Sequence, residues 1–189
     1  MIYFTADWHF NHDRDFIYKL RGFDSVEQMN KAIIERHNKV VNQLDTVYVL
    51  GDLCLGGADS LDRNKQLIEQ MNGQLVIILG NHDTPARIEM YNQCKNVEKI
   101  VYADMLKYRK YHFYLSHYPT MTINLDDDKP LKARTLNLYG HTHQGTNFYD
   151  DLPFMYHVGV DSHNCEPVNI DTVIEDMEQC YKAFLYVPF

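Results

Sequence analysis

Ten histidines in 189 residues is a high count, and several stand in short polar clusters with acids and an amide. The clusters are Asp7-Trp8-His9, Gly51-Asp52, Gly80-Asn81-His82-Asp83, Ser116-His117 and Gly140-His141-Thr142-His143. Imidazole, carboxylate and carboxamide donors without thiolate suit Mn²⁺, Fe, Zn²⁺, Ni²⁺ or Co²⁺ better than a structural cysteine–zinc site. Asp7/His9 and His141/His143 stand at i and i+2, a spacing that in extended backbone points both side chains to one side. Glycines directly before Asp52, Asn81 and His141 allow tight turns that aim short side chains inward.

Alone, each cluster has a plainer reading. Asp7-Trp8-His9 is a strand end with a solvated acid, Gly51-Asp52 a turn, and a lone His117 a satisfied core histidine. Gly80–Asp83, ahead of Thr84-Pro85, is a loop and helix cap. Only the two histidines in the glycine turn at Gly140 have little structural use. Shared position changes the balance, because each cluster follows an apolar strand: Ile2–Ala6, Thr46–Leu50, Leu75–Leu79, His112–Ser116 and Thr135–Tyr139. In open α/β sheets ligands bind beyond the carboxyl ends of strands, so five such endings are expected to converge on one cleft.

The intervening stretches supply the scaffold. Ser25 and Gln28 form a capping box, and Val26, Met29, Ile33, His37, Val40 and Leu44 recur at helical spacing, which puts His37 in the core. Leu61–Met71 reads as a helix ended by Gly73. Thr84 and Pro85 supply an N-cap and an N1 proline for a helix to about Cys94. Further strands are expected at Lys99–Tyr102 and Met155–Val160, and a last helix over Thr172–Phe184. Lys107-Tyr108-Arg109-Lys110-Tyr111 reads as a hairpin turn ahead of a basic, tyrosine-rich nucleic-acid contact. Asp126-Asp127-Asp128-Lys129-Pro130 reads as a solvated loop, and the C-terminal Tyr and Phe residues as core. Strands alternating with helices, then strand-rich sequence, indicate an α/β layered fold with helices packed around two sheets. With no repeat or linker, one domain over 1–189 is expected.

Bulk properties set the limits. Hydrophobic residues at 45% and charged residues at 23% are ordinary for a soluble globular chain. No apolar run approaches the ~20 residues that span a bilayer, and the first residues lack a basic n-region, so no signal peptide is expected. Cys54, Cys94, Cys165 and Cys180 are scattered and read as free thiols of a cytoplasmic protein. A net charge of −8 argues against a non-specific grip on long nucleic acid.

The ordered set of five clusters resembles the motifs of the calcineurin-like metallophosphoesterases, and the stretch Asp7–Leu53 is similar to the short single-domain phosphoesterases of bacteria and their phages. The resemblance implies a four-layer α/β/β/α sandwich of two mixed sheets flanked by helices. It implies two divalent metal ions, Mn²⁺ first among them, with Asp7, His9 and His143 on one, Asn81, His117 and His141 on the other, and Asp52 between. His82 matches the catalytic histidine, with Asp83 orienting its ring. His12 and Arg14 are candidate substrate contacts, set against surface exposure for His12 and a solvated loop for Arg14. His163 reads as structural; His112 and His157 are left unassigned.

The implied activity is hydrolysis of phosphate esters. Two metals ~3.5–4 Å apart can share a water, lower its pKa and clamp an in-line displacement, while His82 assists the leaving oxygen. A phosphodiester of a small nucleotide-like substrate is favoured over a monoester, a phosphoprotein or a nucleic acid strand. A non-catalytic scaffold on the same fold is the reading of a different class, opposed by the intact His82 and ligand set. Oligomeric state is left open.

Overall fold

Residues 1–122 and 129–185 are described by the structure, a computed structural model. Two mixed sheets stand face to face, flanked by helices. The first has the strand order β4-β3-β2-β1-β9, from β1 (Ile2–Thr5), β2 (Thr46–Leu50), β3 (Gln74–Ile78), β4 (Val97–Val101) and β9 (Val168–Asn169). Strands β1 to β4 run parallel and β9 antiparallel to β1. The second sheet has the order β5-β6-β7-β8, from β5 (Ala103–Tyr108), β6 (Tyr111–Ser116), β7 (Thr135–Tyr139) and β8 (Met155–His157).

Alternation along the strands sorts side chains between two apolar layers. Val47, Val49, Leu75 and Ile77 face one cluster, shared with residues of the helices α1 (Asp15–Tyr18), α2 (Val26–Val40), α3 (Leu61–Ile68) and α4 (Pro85–Tyr91). Phe4, Leu50 and Ile78 face the other way and meet Phe113, Leu115, Leu136 and Leu138 of the second sheet. The apolar side of α5 (Ile170–Leu185), with Val173, Ile174 and Met177, joins that second cluster. Polar tethers hold its outer edge, Tyr111 Oη donating to Glu178 and Tyr156 Oη to Asp176, both at 2.6 Å. Each fully buried Val, Leu, Ile or Phe stabilises the fold by roughly 1.5–3 kcal/mol, so the two layers are a stiff platform for whatever stands at the strand ends.

Several element ends differ from the sequence reading. The Ser25 cap forms, its Oγ accepting from Gln28 N at 3.2 Å, while Gln28 Oε1 accepts from Asp24 N at 2.6 Å. That helix stops at Val40, because Asp45 Oδ2 accepts from Asn42 N at 2.8 Å and turns the chain, leaving Leu44 93% exposed. Thr84 caps α4 by backbone alone, and Pro85 stands in its first turn. Arg109 and Lys110 form the expected hairpin turn, between β6 and a strand the sequence did not signal, β5. Its Ala-Asp-Met-Leu-Lys-Tyr lacks β-branched residues and is half exposed. Strand β9 has two residues, too few for any periodicity.

His37 is buried with Nε2 against Asn72 O at 2.9 Å, and the four cysteines are free. Asp126, Asp127 and Asp128 lie outside the described residues, as do Tyr186 and Phe189. Of the earlier C-terminal aromatics, Tyr181 is buried as expected of core, while Phe184 is exposed and does not belong to it. Among the described residues no helix is long and apolar enough to cross a membrane.

Candidate metal centre

Beyond the ends of β1, β2 and β3 in one sheet and β6 and β7 in the other, all five polar clusters meet. The segments after β1 and β2 run side by side, with Asp7 N donating to Gly51 O at 3.0 Å and His9 N to Asp52 O at 3.1 Å. Gly140 N donates to His117 O at 3.0 Å, which joins the segments after β6 and β7. His141 N donates to Asp7 Oδ2 at 2.9 Å and ties one sheet's loops to the other's.

The backbone of these segments is not extended, and here the i, i+2 argument is corrected. Asp7 and His9 have φ of 59° and 50°, His141 and His143 have 69° and 49°, and Asp52 has 56°. Left-handed backbone at non-glycine residues costs free energy and persists only where the surroundings hold it, which is a recurrent trait of functional sites. Left-handed residues at alternate positions turn the chain sharply, setting Asp7 beside His9 and sending His141 and His143 to different donor groups. The glycines act in two ways. Gly51 does need positive φ, at 87°. Gly80 and Gly140 are needed for room: a Cβ on Gly80 would stand 2.2 Å from Asp52 Oδ1, and one on Gly140 2.6 Å from Asp7 Oδ2.

Two groups of donors result. His9 Nε2 and His143 Nε2 face each other at 3.1 Å, and each lies 3.9 Å from Asp7 Oδ1. Asn81 Oδ1 lies 2.9 Å from His117 Nε2 and 3.0 Å from His141 Nδ1. Asp52 stands between the groups, its Oδ2 3.8 Å from His9 Nε2 and 3.5 Å from His117 Nε2. Atoms bound ~2.0–2.2 Å from a common ion at ordinary angles sit roughly 3–3.5 Å apart, close to the His9–His143 and Asn81–histidine separations, while the two Asp7 separations are wider at 3.9 Å.

A cation also explains what the protein leaves unpaired. Asp7 Oδ1 is buried with no hydrogen-bond partner among the described residues, an arrangement that is costly for a carboxylate oxygen. Burial, against the charges of His143 and His117, drives the Asp7 carboxyl up to about 7. Burial, with the charges of His143 and Arg21, pushes His9 down to about 2. An acid that resists ionising beside an imidazole that resists protonating is the electrostatic complement of a divalent ion, which favours carboxylate and neutral imidazole together. Asp52 differs: burial opposes its charge, but His117 and the His82 N–H outweigh it and hold it at about 2. The ligand set therefore fits divalent metal.

His82 anchors to the cluster through its main chain, N donating to Asp52 Oδ1 at 2.9 Å. Its ring is 44% exposed, with Nε2 4.0 Å from Asp52 Oδ2, and so opens towards the cleft. Asp83 does not orient that ring. Its Oδ2 accepts from Asp52 N at 3.0 Å and Gly80 N at 2.7 Å, and its Oδ1 from Tyr91 Oη at 2.7 Å. The carboxylate is consumed by tying the two strand-end turns to each other, and it acts on the site through Asp52 and Asn81. Arg87 holds the same loop by donating to the carbonyls of His82 and Gly56.

His12 is brought to the cluster, its ring centroid 5.2 Å from His9. Burial and the charge of His82 lower it to about 4. Arg14 is exposed and one step removed, lining with His12, Leu55 and Gly56 a hollow of about 460 Å³. His163 is structural, with Nε2 on His157 O at 2.9 Å.

Two half-buried partners of these side chains carry little signal in the sequence. His143 Nδ1 donates to Asp161 Oδ2 at 2.9 Å. Arg21 grips the same carboxylate with Nε at 2.8 Å and Nη2 at 2.9 Å, and also donates to the carbonyls of Asp7 and Trp8. Such a carboxylate behind a ligating histidine fixes the ring and its tautomer. His117 has the equivalent support from a carbonyl, Nδ1 donating to Leu50 O at 2.8 Å. Asp161 follows Gly159-Val160 near a strand end, as the ligands do, and that position was its only trace in the sequence. Arg21 left none.

Known proteins agree with this architecture. The family model for calcineurin-like phosphoesterases matches residues 1–176. The chain is 34% identical over 184 residues to the uncharacterized protein MJ1445 of Methanocaldococcus jannaschii, covering 94% of this chain and 92% of that one. It is 25% identical over 162 residues to the gene 66 protein of Mycobacterium phage L5, covering 75% and 76%. Among solved structures, a protein of unknown function from Aquifex aeolicus, AQ665, shares the fold with a TM-score of 0.69 at 20% identity, over 93% of this chain and 98% of that one. The chain belongs to the calcineurin-like phosphoesterase family, a family of metal-dependent phosphoesterase hydrolases.

Proposed function

We propose that the protein is a two-metal phosphodiesterase acting on a small, nucleotide-like phosphodiester, with Mn²⁺ as the working metal. The observation that carries this reading is the position of Asp52 Oδ2 between two donor groups, with the His82 ring open to the cleft at 4.0 Å from it. In this reading Asp7, His9 and His143 hold one ion, Asn81, His117 and His141 the other, and Asp52 is common to both. Two divalent ions held there supply Lewis acidity for the phosphoryl oxygens and a water of lowered pKa.

The remaining work belongs to the chain. His82 donates a proton or hydrogen bond to the departing ester oxygen, as a general acid positioned by its own main-chain bond to Asp52. His12, beside His9 and partly open to solvent, contacts the phosphate, and Arg14 meets the substrate further out. Asp83 is a positioning residue that keeps the Asp52 and Asn81 turns in register. The net charge of −8 favours a small ester over a long strand, and the free thiols suit a cytoplasmic setting. The chain acts as one domain.

The test compares bis(p-nitrophenyl) phosphate with p-nitrophenyl phosphate, using chelator-treated protein reloaded with Mn²⁺. Diester cleavage that outpaces the monoester is expected. Monoester cleavage alone would make the protein a phosphomonoesterase.

A further inference from the structure

Tyr118 stands at the rim of the ligand cluster, directly after His117. Its ring centroid is 4.7 Å from that of His141 and 5.1 Å from that of His117. Both contacts are steeply inclined, with interplanar angles of 65° and 73°, so neither histidine covers the ring by stacking. Tyr118 remains 49% exposed, and its hydroxyl makes no hydrogen bond among the described residues.

The segment that presents this ring is clamped. Tyr118 O accepts from Ser116 Oγ at 2.8 Å and from Thr120 Oγ1 at 3.0 Å. Asn137, fully buried in β7, accepts from Thr120 N at 2.8 Å and donates to Ser116 Oγ at 2.9 Å and Tyr114 O at 3.1 Å. A buried amide is thus committed to fixing a short turn whose most prominent product is an exposed aromatic ring. Nothing in the core needs that ring. A fixed ring beside a phosphate site offers a flat face at low cost in conformational entropy, and flat faces bind aromatic groups by offset stacking.

We propose that Tyr118 is a specificity-determining residue, a platform on which a planar ring in the organic arm of the substrate stacks while its phosphate sits at the ligand cluster. The preferred esters are then aryl or nucleoside phosphates, ahead of those with sugar or alkyl arms. This rests on the phosphoesterase reading above and narrows it.

Phenylphosphonate and methylphosphonate differ by the ring and carry no hydrolysable ester, so their binding tests the platform without turnover. Affinities are measured by calorimetry on Mn²⁺-loaded wild-type, Tyr118→Phe and Tyr118→Ala proteins. Wild type is expected to prefer the phenyl compound by about tenfold, the scale of one aromatic stack. Tyr118→Phe keeps the preference and Tyr118→Ala loses it. The ratio within each protein cancels any change in metal loading. Equal affinities in wild type, no binding of either compound, or a preference that survives in Tyr118→Ala overturns the proposal. Failure of the phosphoesterase reading shows separately, as absence of p-nitrophenyl ester hydrolysis whatever the phosphonates do.

Discussion

The two halves of the ligand cluster are braced differently. Around Asp7, His9 and His143, the His143 ring is held from behind by Asp161, locked in turn by an Arg21 side chain only 4% exposed. The same arginine ties down the carbonyls of Asp7 and Trp8. Around Asn81, His117 and His141, only His117 has such support among the described residues, from one main-chain carbonyl. His141 meets Asn81 and the exposed Tyr118 and has no carboxylate behind it among the described residues. A braced half loses little freedom when it binds an ion; an open half keeps room for a substrate. The first half is therefore expected to bind metal more tightly, and the second to face the organic arm of the ester.

The comparison breaks most severely at the residue common to both halves. Asp52→Ala is expected to empty both metal sites and abolish diester hydrolysis, as read by metal content and turnover. Retention of two ions at wild-type affinity would show that the halves do not share this carboxylate.

Next in size is His82→Ala. The loss of a positioned general acid is expected to lower kcat by roughly 10²–10⁴-fold, with both ions retained. Unchanged hydrolysis by the metal-replete variant would remove His82 from the chemistry.

The third effect is on stability against pH in the metal-free chain. Burial raises the folded Asp7 carboxyl to about 7, above an unfolded value of ~3.9. The folded state then holds a proton that the unfolded state has lost, so this group lowers stability as pH rises from ~4 to about 7, by on the order of a few kcal/mol. Asp52, held at about 2, has the opposite sign: it contributes stability above ~4 that is lost as pH falls towards about 2. Urea unfolding in chelator should show Asp7→Asn less sensitive to pH between 4 and 7 than wild type, and an unaltered slope would contradict the burial argument. Mn²⁺ should raise the Tm more at pH 8 than at pH 5, because binding at Asp7 releases a proton.

The smallest effect sharpens the comparison. Asp161→Asn is expected to weaken the braced half alone, by about 10–100-fold in metal affinity, in a Mn²⁺ titration that resolves two events. Equal weakening of both events would mean that Asp161 supports the cluster as a whole.

Much of this site was legible because its information is local. Asp7, His9, Asp52, Asn81, His82, His117, His141 and His143 each follow an apolar run, and the turn that aims each is written in the adjacent residues. What escaped depends on contacts far apart in the chain. Arg21 reaches Asp161 across 140 positions, and no spacing or periodicity encodes such a pair. The family resemblance pairs Asp83 with His82, whereas its carboxylate spans to Asp52. The left-handed backbone at these positions is likewise set by the meeting of loops: Asp and His tolerate it better than most residues, but few of them adopt it, so residue type alone does not mark these positions. In the fold, long apolar strands such as β2 and β3 were plain, while β5 needed its partner β6 to become a strand at all.

The most direct measurement titrates chelator-stripped protein with Mn²⁺ while recording binding heat and bis(p-nitrophenyl) phosphate hydrolysis on matched samples. Two ions of unequal affinity per chain are expected, with hydrolysis absent at first and rising as the weaker ion binds. Hydrolysis that persists in the stripped protein, or two bound ions without turnover of this or any other phosphate ester, would contradict a two-metal phosphoesterase.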